Sequence, residues 1–185
     1  MVKRKKSNSR PFIVHFAKIG KIFLRFSSAA IAYFYLMTRR FNVRVYGILI
    51  ENGRVLVSDE HIREKDVTKF PGGGLEFGEG TLECVAREFM EELNLSITEA
   101  THFYTTDFFV QSAFDPGSQV ISIYYKVKSN GHHAFTVSNK PFDYERKEDA
   151  QSLRWISLDE LKEDDLTLII DKKVAQMLID ELRNG

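Results

Sequence analysis

The chain has 185 residues, 43% of them hydrophobic and 28% charged, which suits one globular domain and excludes a collagenous or charge-dominated unfolded chain. Its single cysteine, Cys84, excludes an internal disulfide and suits a reducing compartment, from which a cytoplasmic location is expected. Twenty-six Lys and Arg balance 26 Asp and Glu, but unevenly: residues 1–50 carry 11 basic residues and no acid, while the rest carry 15 basic and 26 acidic.

That asymmetry marks the leading segment as separate. Residues 1–36 open on a basic run. Phe12, Ile13, Phe16, Ile19, Phe23 and Phe26 then follow at mostly helical spacing among Lys18, Lys21 and Arg25. Three readings stay open: a basic amphipathic helix on an anionic membrane surface, a targeting segment, or a dispensable extension ahead of a start at Met37. The apolar stretch Ala29–Met37 is too short for a bilayer span, which takes about 20 residues. The expected domain therefore covers residues 37–185.

Val43–Ile50 is rich in β-branched and apolar residues and predicts a strand, followed by an Asn52-Gly53 turn and a returning strand over Arg54–Ser58. His61–Thr68 is polar and reads as loop, with His61 solvated. Lys69-Phe70-Pro71 leads into Gly72-Gly73-Gly74, and a helix is expected from Thr81, its cap, to about Leu93. Thr101–Val110 and Gln119–Val127 read as strands on either side of a turn at Asp115-Pro116-Gly117. Residues 129–141 read as loop, where His132 and His133 lack a third ligand at fixed spacing. A last strand over Ser152–Ile156, a short helix opening at Ser157 and an amphipathic helix over Asp171–Leu182 close the chain.

The chemistry concentrates in Phe70–Leu95, FPGGGLEFGEGTLECVAREFMEELNL. At about 100° per residue, Glu88, Glu91 and Glu92 share one narrow arc of the helix, with Leu82, Val85, Phe89 and Leu93 on the adjoining face. Three clustered carboxylates repel one another unless a cation sits among them. A hard divalent ion, Mg²⁺ or Mn²⁺, takes such oxygen ligands. Cys84, with no placed His or Cys partner, reads as a small helical filler.

The series Gly73, five residues, Glu79, seven residues, then Arg87-Glu88-Phe89-Met90-Glu91-Glu92-Leu93-Asn94-Leu95 resembles the Nudix box, G-x5-E-x7-R-E-U-x-E-E-x-G-U, with U a bulky aliphatic residue. Phe89 departs from the aliphatic position, and Asn94 replaces the closing Gly. Asn is the next residue most willing to adopt the left-handed cap conformation. The resemblance spans about Phe41 to Leu182 and is sharp only in the box.

What the resemblance implies is an α/β fold, a mixed β-sheet sandwiched between α-helices, here behind the basic N-terminal extension. It also implies divalent-metal-dependent hydrolysis of the pyrophosphate bond of a nucleoside diphosphate linked to another moiety: a nucleotide sugar, ADP-ribose, a dinucleotide or a nucleoside triphosphate. By the same resemblance Glu91 and Glu92 are the chief ligands of Mg²⁺ or Mn²⁺, Glu88 is a ligand or the base, and Gly72 or Gly73 gives a backbone carbonyl. Arg87 orients the acids, Glu79 holds Arg87 or adds a ligand, and a late acid, Glu148 among Glu145, Glu148 and Asp149, completes the shell or serves as base. Phe70, Glu76 and Phe109 are the candidates for substrate contact. Phe109, Val110, Gln111 and Ser112 fill the window where some subgroups carry a Pro or Tyr marker, so neither marker is present. The implied partner is a small nucleoside diphosphate derivative, with no stable nucleic-acid complex; a homodimer and membrane contact through residues 1–36 stay open. Two alternatives are a non-catalytic nucleotide or ADP-ribose sensor and an isoprenyl diphosphate isomerase-like activity.

Overall fold

The structure, a computed structural model, describes residues 39–131 and 133–184. The three readings of residues 1–36, the boundary at residue 37, and His132 lie outside the described residues. The elements are β1 (Arg40–Glu51), β2 (Arg54–Ile62), β3 (Lys65–Lys69), β4 (Gly72–Gly74), α1 (Thr81–Leu93), β5 (Ile97–Thr105), β6 (Ser118–Ser129), β7 (Gln151–Ser157), a 3₁₀ turn (Glu163–Asp165) and α2 (Ile169–Asn184). Among the described residues no helix is long and apolar enough to cross a membrane.

The strands form a mixed sheet in the order β3-β2-β1-β6-β5, with β4 also on β1 and β7 on β2. β1 and β6 run parallel from Arg40 opposite Ser118 to Leu49 opposite Val127; the other pairings are antiparallel. Strand periodicity sends alternate β1 side chains to opposite faces. Val45 and Leu49 join Val85, Phe89 and Leu93 of α1, while Tyr46 and Ile48 join Ile170, Val174 and Leu178 of α2. The sheet is thus sandwiched between two helices. Gly47 lies at the tightest point on the α1 side, where a Cβ would come within 2.3 Å of the Phe89 ring.

Several boundaries differ from the sequence expectation. The stretch read as loop over residues 61–68 forms a hairpin, because Val67, Thr68 and Lys69 are buried in β3 and Arg63 and Glu64 take positive φ (47° and 64°) to turn the chain. His61 is consequently buried rather than solvated and bonds Asp66 at 2.7 Å. β5 begins and ends earlier than predicted, and past it the chain rejoins β6 through one bridge, Gln111 to Gln119. The N-cap of α1 is Gly80, whose amide donates to Glu83 at 2.7 Å, and the Thr81 hydroxyl meets Tyr125 instead. Leu82 is 54% exposed and off the apolar face. Asn94 does adopt the left-handed cap conformation, φ 49°, and its amide closes onto Met90 at 3.0 Å. A turn replaces the short helix expected at Ser157, and α2 starts at Ile169, two residues early.

Candidate active site at the glycine turn and helix α1

The glycine turn lies against α1 because the side chains that would separate them are missing. Gly73 is the point of contact: a Cβ there would stand 2.3 Å from Glu88 Oε1. Gly72 takes φ 132°, which L side chains rarely adopt, and its amide donates to Glu92 at 3.1 Å. The strand ladder engages one of the two candidate carbonyls. Gly47 N–H bonds Pro71 O and Leu75 N–H bonds Val43 O, so by antiparallel alternation Gly73 is the residue paired to β1 through Val45. The carbonyls of Gly72 and Gly74 face away from β1, where they accept from Lys69 Nζ at 2.7 Å and Arg87 Nη2 at 3.0 Å.

Arg87 gathers the box acids. Its Nε and Nη2 donate to the two Glu79 oxygens at 3.0 and 2.7 Å, and Nη1 reaches Glu88 and Glu91, each at 3.0 Å. The Arg87 hydrogen bonds lower the Glu79 carboxyl to about 2. Glu88 is buried, Glu91 exposed, and Glu92 lies between these extremes. Burial lifts Glu92 to about 6, against the pull of Lys69. Lys69, itself buried, lies 2.8 Å from Glu60 and 3.9 Å from Glu92. Burial alone would push its ammonium pKa down, but Glu60 and Glu92 outweigh it and the pKa rises. The buried Cys84 thiol, pushed up to about 12 mainly by burial, stays protonated.

As they stand, no three acids among the described residues converge tightly enough to enclose an ion by themselves. Arg87 and Lys69 supply the positive charge instead. The donor chemistry nonetheless fits a hard divalent cation: Glu88, Glu91 and Glu92 share one helix arc, and Glu92 and the Gly72 carbonyl both lie near the Lys69 ammonium, at 3.9 and 2.7 Å.

Beside this cluster opens a cavity of about 660 Å³. Its floor is the parallel pair β1–β6, which aligns Arg40 with Ser118, Asn42 with Val120, Arg44 with Ser122 and Tyr46 with Tyr124. The start of α2 and the segment 110–115 form the walls. Arg44 joins cavity to turn: it lines the cavity, its Nε donates to Tyr46 at 3.1 Å, and its Nη1 would lie 3.8 Å from a Cβ on Gly74.

The substrate candidates fall elsewhere. Phe70 is fully buried with its ring edge-on to Tyr124 at 6.0 Å, so it builds the core and has no free face for stacking. Glu76 and Phe109 are exposed and lie outside the cavity wall. Glu148 accepts from the Arg63 amide at 3.1 Å and so caps the β2–β3 turn, whereas Glu60 is the acid paired with the Lys69–Glu92 group. His133 is tied to Glu51 at 2.6 Å. Glu60, Lys69, Arg44 and Asp171 escaped the sequence reading. Extending strand β2 two residues past Ser58 would have put Glu60 on the face of Ser58.

A sequence model of the NUDIX domain matches residues 38–177. The chain belongs to that family. The Nudix assignment carries with it the family's general chemistry, hydrolysis of a pyrophosphate linkage. Solved structures agree on the fold. A MutT from a study of Aliivibrio salmonicida and Vibrio cholerae is 18% identical with a TM-score of 0.55, covering 76% of this chain and 98% of its own. The Burkholderia pseudomallei MutT Nudix hydrolase is 20% identical at TM-score 0.57, covering 75% and 98%. A Nitrosomonas europaea Nudix hydrolase is 21% identical at 0.53, covering 78% and 89%. No curated protein is significantly similar to this Nudix chain in sequence.

Proposed function

We propose that the chain hydrolyses the pyrophosphate bond of a nucleoside diphosphate derivative, with Mg²⁺ or Mn²⁺ held by Glu88, Glu91, Glu92 and the Gly72 carbonyl. The observation that carries this is the junction at Arg44, which lines a ligand-sized cavity and reaches the glycine turn that lies against the acid-bearing helix. A cation bound there would neutralise phosphate charge and make bound water more acidic. Each protein group then has a task suited to its position. Arg44 binds a phosphate at the mouth between cavity and turn. Arg87 fixes Glu88 and Glu91 by charge-assisted bonds, and Glu79 fixes Arg87. Glu88, buried but with Oε2 outside the Arg87 contact, is placed to take a proton from an attacking water. The domain responsible is residues 37–185.

The test is product release from nucleotide sugars, ADP-ribose, NADH, dinucleoside polyphosphates and nucleoside triphosphates, with and without Mg²⁺, by the full chain and by a chain starting at Met37. Metal-dependent cleavage by both supports the reading. Full activity in the Glu91→Gln, Glu92→Gln double variant overturns it.

A further inference from the structure

Lys69 is 2% exposed, and a lysine is rarely buried that deeply without a fixed counter-ion. Two carboxylates flank its ammonium, Glu60 at 2.8 Å and Glu92 at 3.9 Å. The strand register makes the nearer pair: Lys69 on β3 stands opposite Ser58 on β2, and Glu60 lies two residues along β2 on the same face. Glu60 is anchored independently of Lys69, because its Oε1 also accepts from the Ser58 hydroxyl at 2.7 Å and the Gln151 side-chain amide at 3.4 Å. Glu92 is held close to the same ammonium by the glycine turn. Its Oε2 accepts from the Gly72 amide at 3.1 Å, while Gly72 O accepts from Lys69 Nζ at 2.7 Å. Glu92 Oε1 thus stands within reach of Lys69 but outside hydrogen-bond distance. A buried ammonium that loses one partner turns to the next, since an uncompensated buried charge is strongly destabilising.

We propose that Glu60 is a positioning residue for the divalent site: it holds the Lys69 ammonium at its own carboxylate and so leaves Glu92 Oε1 open to a metal ion. This rests on the reading of Glu92 as a metal ligand. Without the Glu60 charge, the ammonium closes the gap to Glu92 and neutralises it in place of the ion. Glu60 therefore acts on the metal through Lys69 and not by ligation. Charge fixes the sign of each change. Removing the Glu60 charge makes the surroundings of the ion more positive and weakens its binding. Removing Lys69 as well restores the net charge and frees Glu92, so the second substitution reverses the first. A residue that only supports the sheet gives the opposite pattern, because each lost contact adds to the damage.

The experiment measures Mn²⁺ binding to the full chain by electron paramagnetic resonance. It compares the wild type with Glu60→Gln, Lys69→Met, the double variant of the two, and Glu92→Gln, each checked for folding by melting. Glu60→Gln should bind Mn²⁺ about ten- to a hundredfold more weakly, the usual scale for a residue that orients a ligand. Lys69→Met should bind at least as tightly as the wild type, and the double variant should recover most of the lost affinity. Unchanged affinity in Glu60→Gln, or a double variant weaker than Glu60→Gln alone, overturns the proposal. If Glu60→Gln does not fold, Lys69→Met decides by itself: weaker Mn²⁺ binding than the wild type overturns the proposal, and equal or tighter binding supports it. Wild-type affinity in Glu92→Gln would instead remove Glu92 from the metal site, and the proposal with it, whatever the Glu60 variants do.

Discussion

Arg87 holds both oxygens of Glu79 with one edge of its guanidinium, Nε and Nη2, at 3.0 and 2.7 Å, while its remaining nitrogen bridges Glu88 and Glu91. One side chain thereby sets the positions of three acids, and only a planar fork can do so. Arg87→Lys keeps the charge but loses the fork. The expected outcome is a drop of about ten- to a hundredfold in kcat/KM and a similar weakening of Mg²⁺ affinity, the usual scale for residues that orient ligands. Steady-state kinetics over a Mg²⁺ titration checks this, and wild-type kinetics in the lysine variant would show that orientation by Arg87 is unimportant.

The close approach at Gly73 makes a sharper case. An added methyl group would lie 2.3–2.5 Å from the Glu88 carboxylate, and Glu88 is buried, so it must turn out of place or push the turn away from α1. Gly73→Ala should lose most activity while keeping its circular dichroism spectrum and unfolding cooperatively. Glycine 74 serves as the control, because a Cβ there meets only Arg44 Nη1 at 3.8 Å. Equal activity in the two alanine variants would refute the steric argument.

The legible parts of this molecule were those fixed by local chemistry. Arg87, Glu88, Glu91 and Glu92 stand at helical spacings that a sequence displays directly, Glu79 stands at the fixed box distance from Arg87, and Asn94 ends α1 as its left-handed preference predicts. Asp171 and Arg44 were not legible, since 127 residues separate them and only the parallel β1–β6 pair and the docking of α2 make them neighbours. Phe70 misled for a related reason: beside a glycine turn an aromatic looks available, and only the packing of Tyr124 against it shows the core claim. The hairpin at residues 61–69 was hidden because Asp66, Thr68 and Lys69 are polar, and what accommodates them is pairing with His61, Asp59 and Glu60.

Gly47 gives a stability prediction independent of catalysis. A methyl group there would come within 2.3 Å of the Phe89 ring and 3.3 Å of Val127, in a core with no slack on the α1 side. Gly47→Ala should destabilise the domain by about 1–3 kcal/mol, as overpacking does. Adding Phe89→Leu, which restores the aliphatic residue common at that box position, should recover part of the loss. Urea unfolding of both singles and the double measures the coupling, and strictly additive effects would separate Gly47 from Phe89.

The Asp171 carboxyl gives stability a definite pH dependence. Burial raises it from the ordinary 3.8 to about 7, opposed by the Tyr124 hydroxyl, Lys69, the Phe70 amide and Arg44. A group whose pKa is raised by folding holds its proton more tightly in the folded state. Its contribution is complete below the unfolded value and is lost as pH rises through the folded one. The wild type should therefore lose stability between about pH 4 and pH 7, and Glu92, raised to about 6, adds in the same direction. Asp171→Asn cannot ionise, so its stability relative to wild type should climb across that window and level off above about pH 8. At about 1.4 kcal/mol per pH unit between the two values, the climb has a ceiling of about 4 kcal/mol. Any constant offset from replacing the oxygen by an amide is irrelevant, because the slope carries the information. Urea midpoints at pH 4.5, 6, 7.5 and 9 decide it, and parallel curves for the two proteins would mean that Asp171 is ionised throughout.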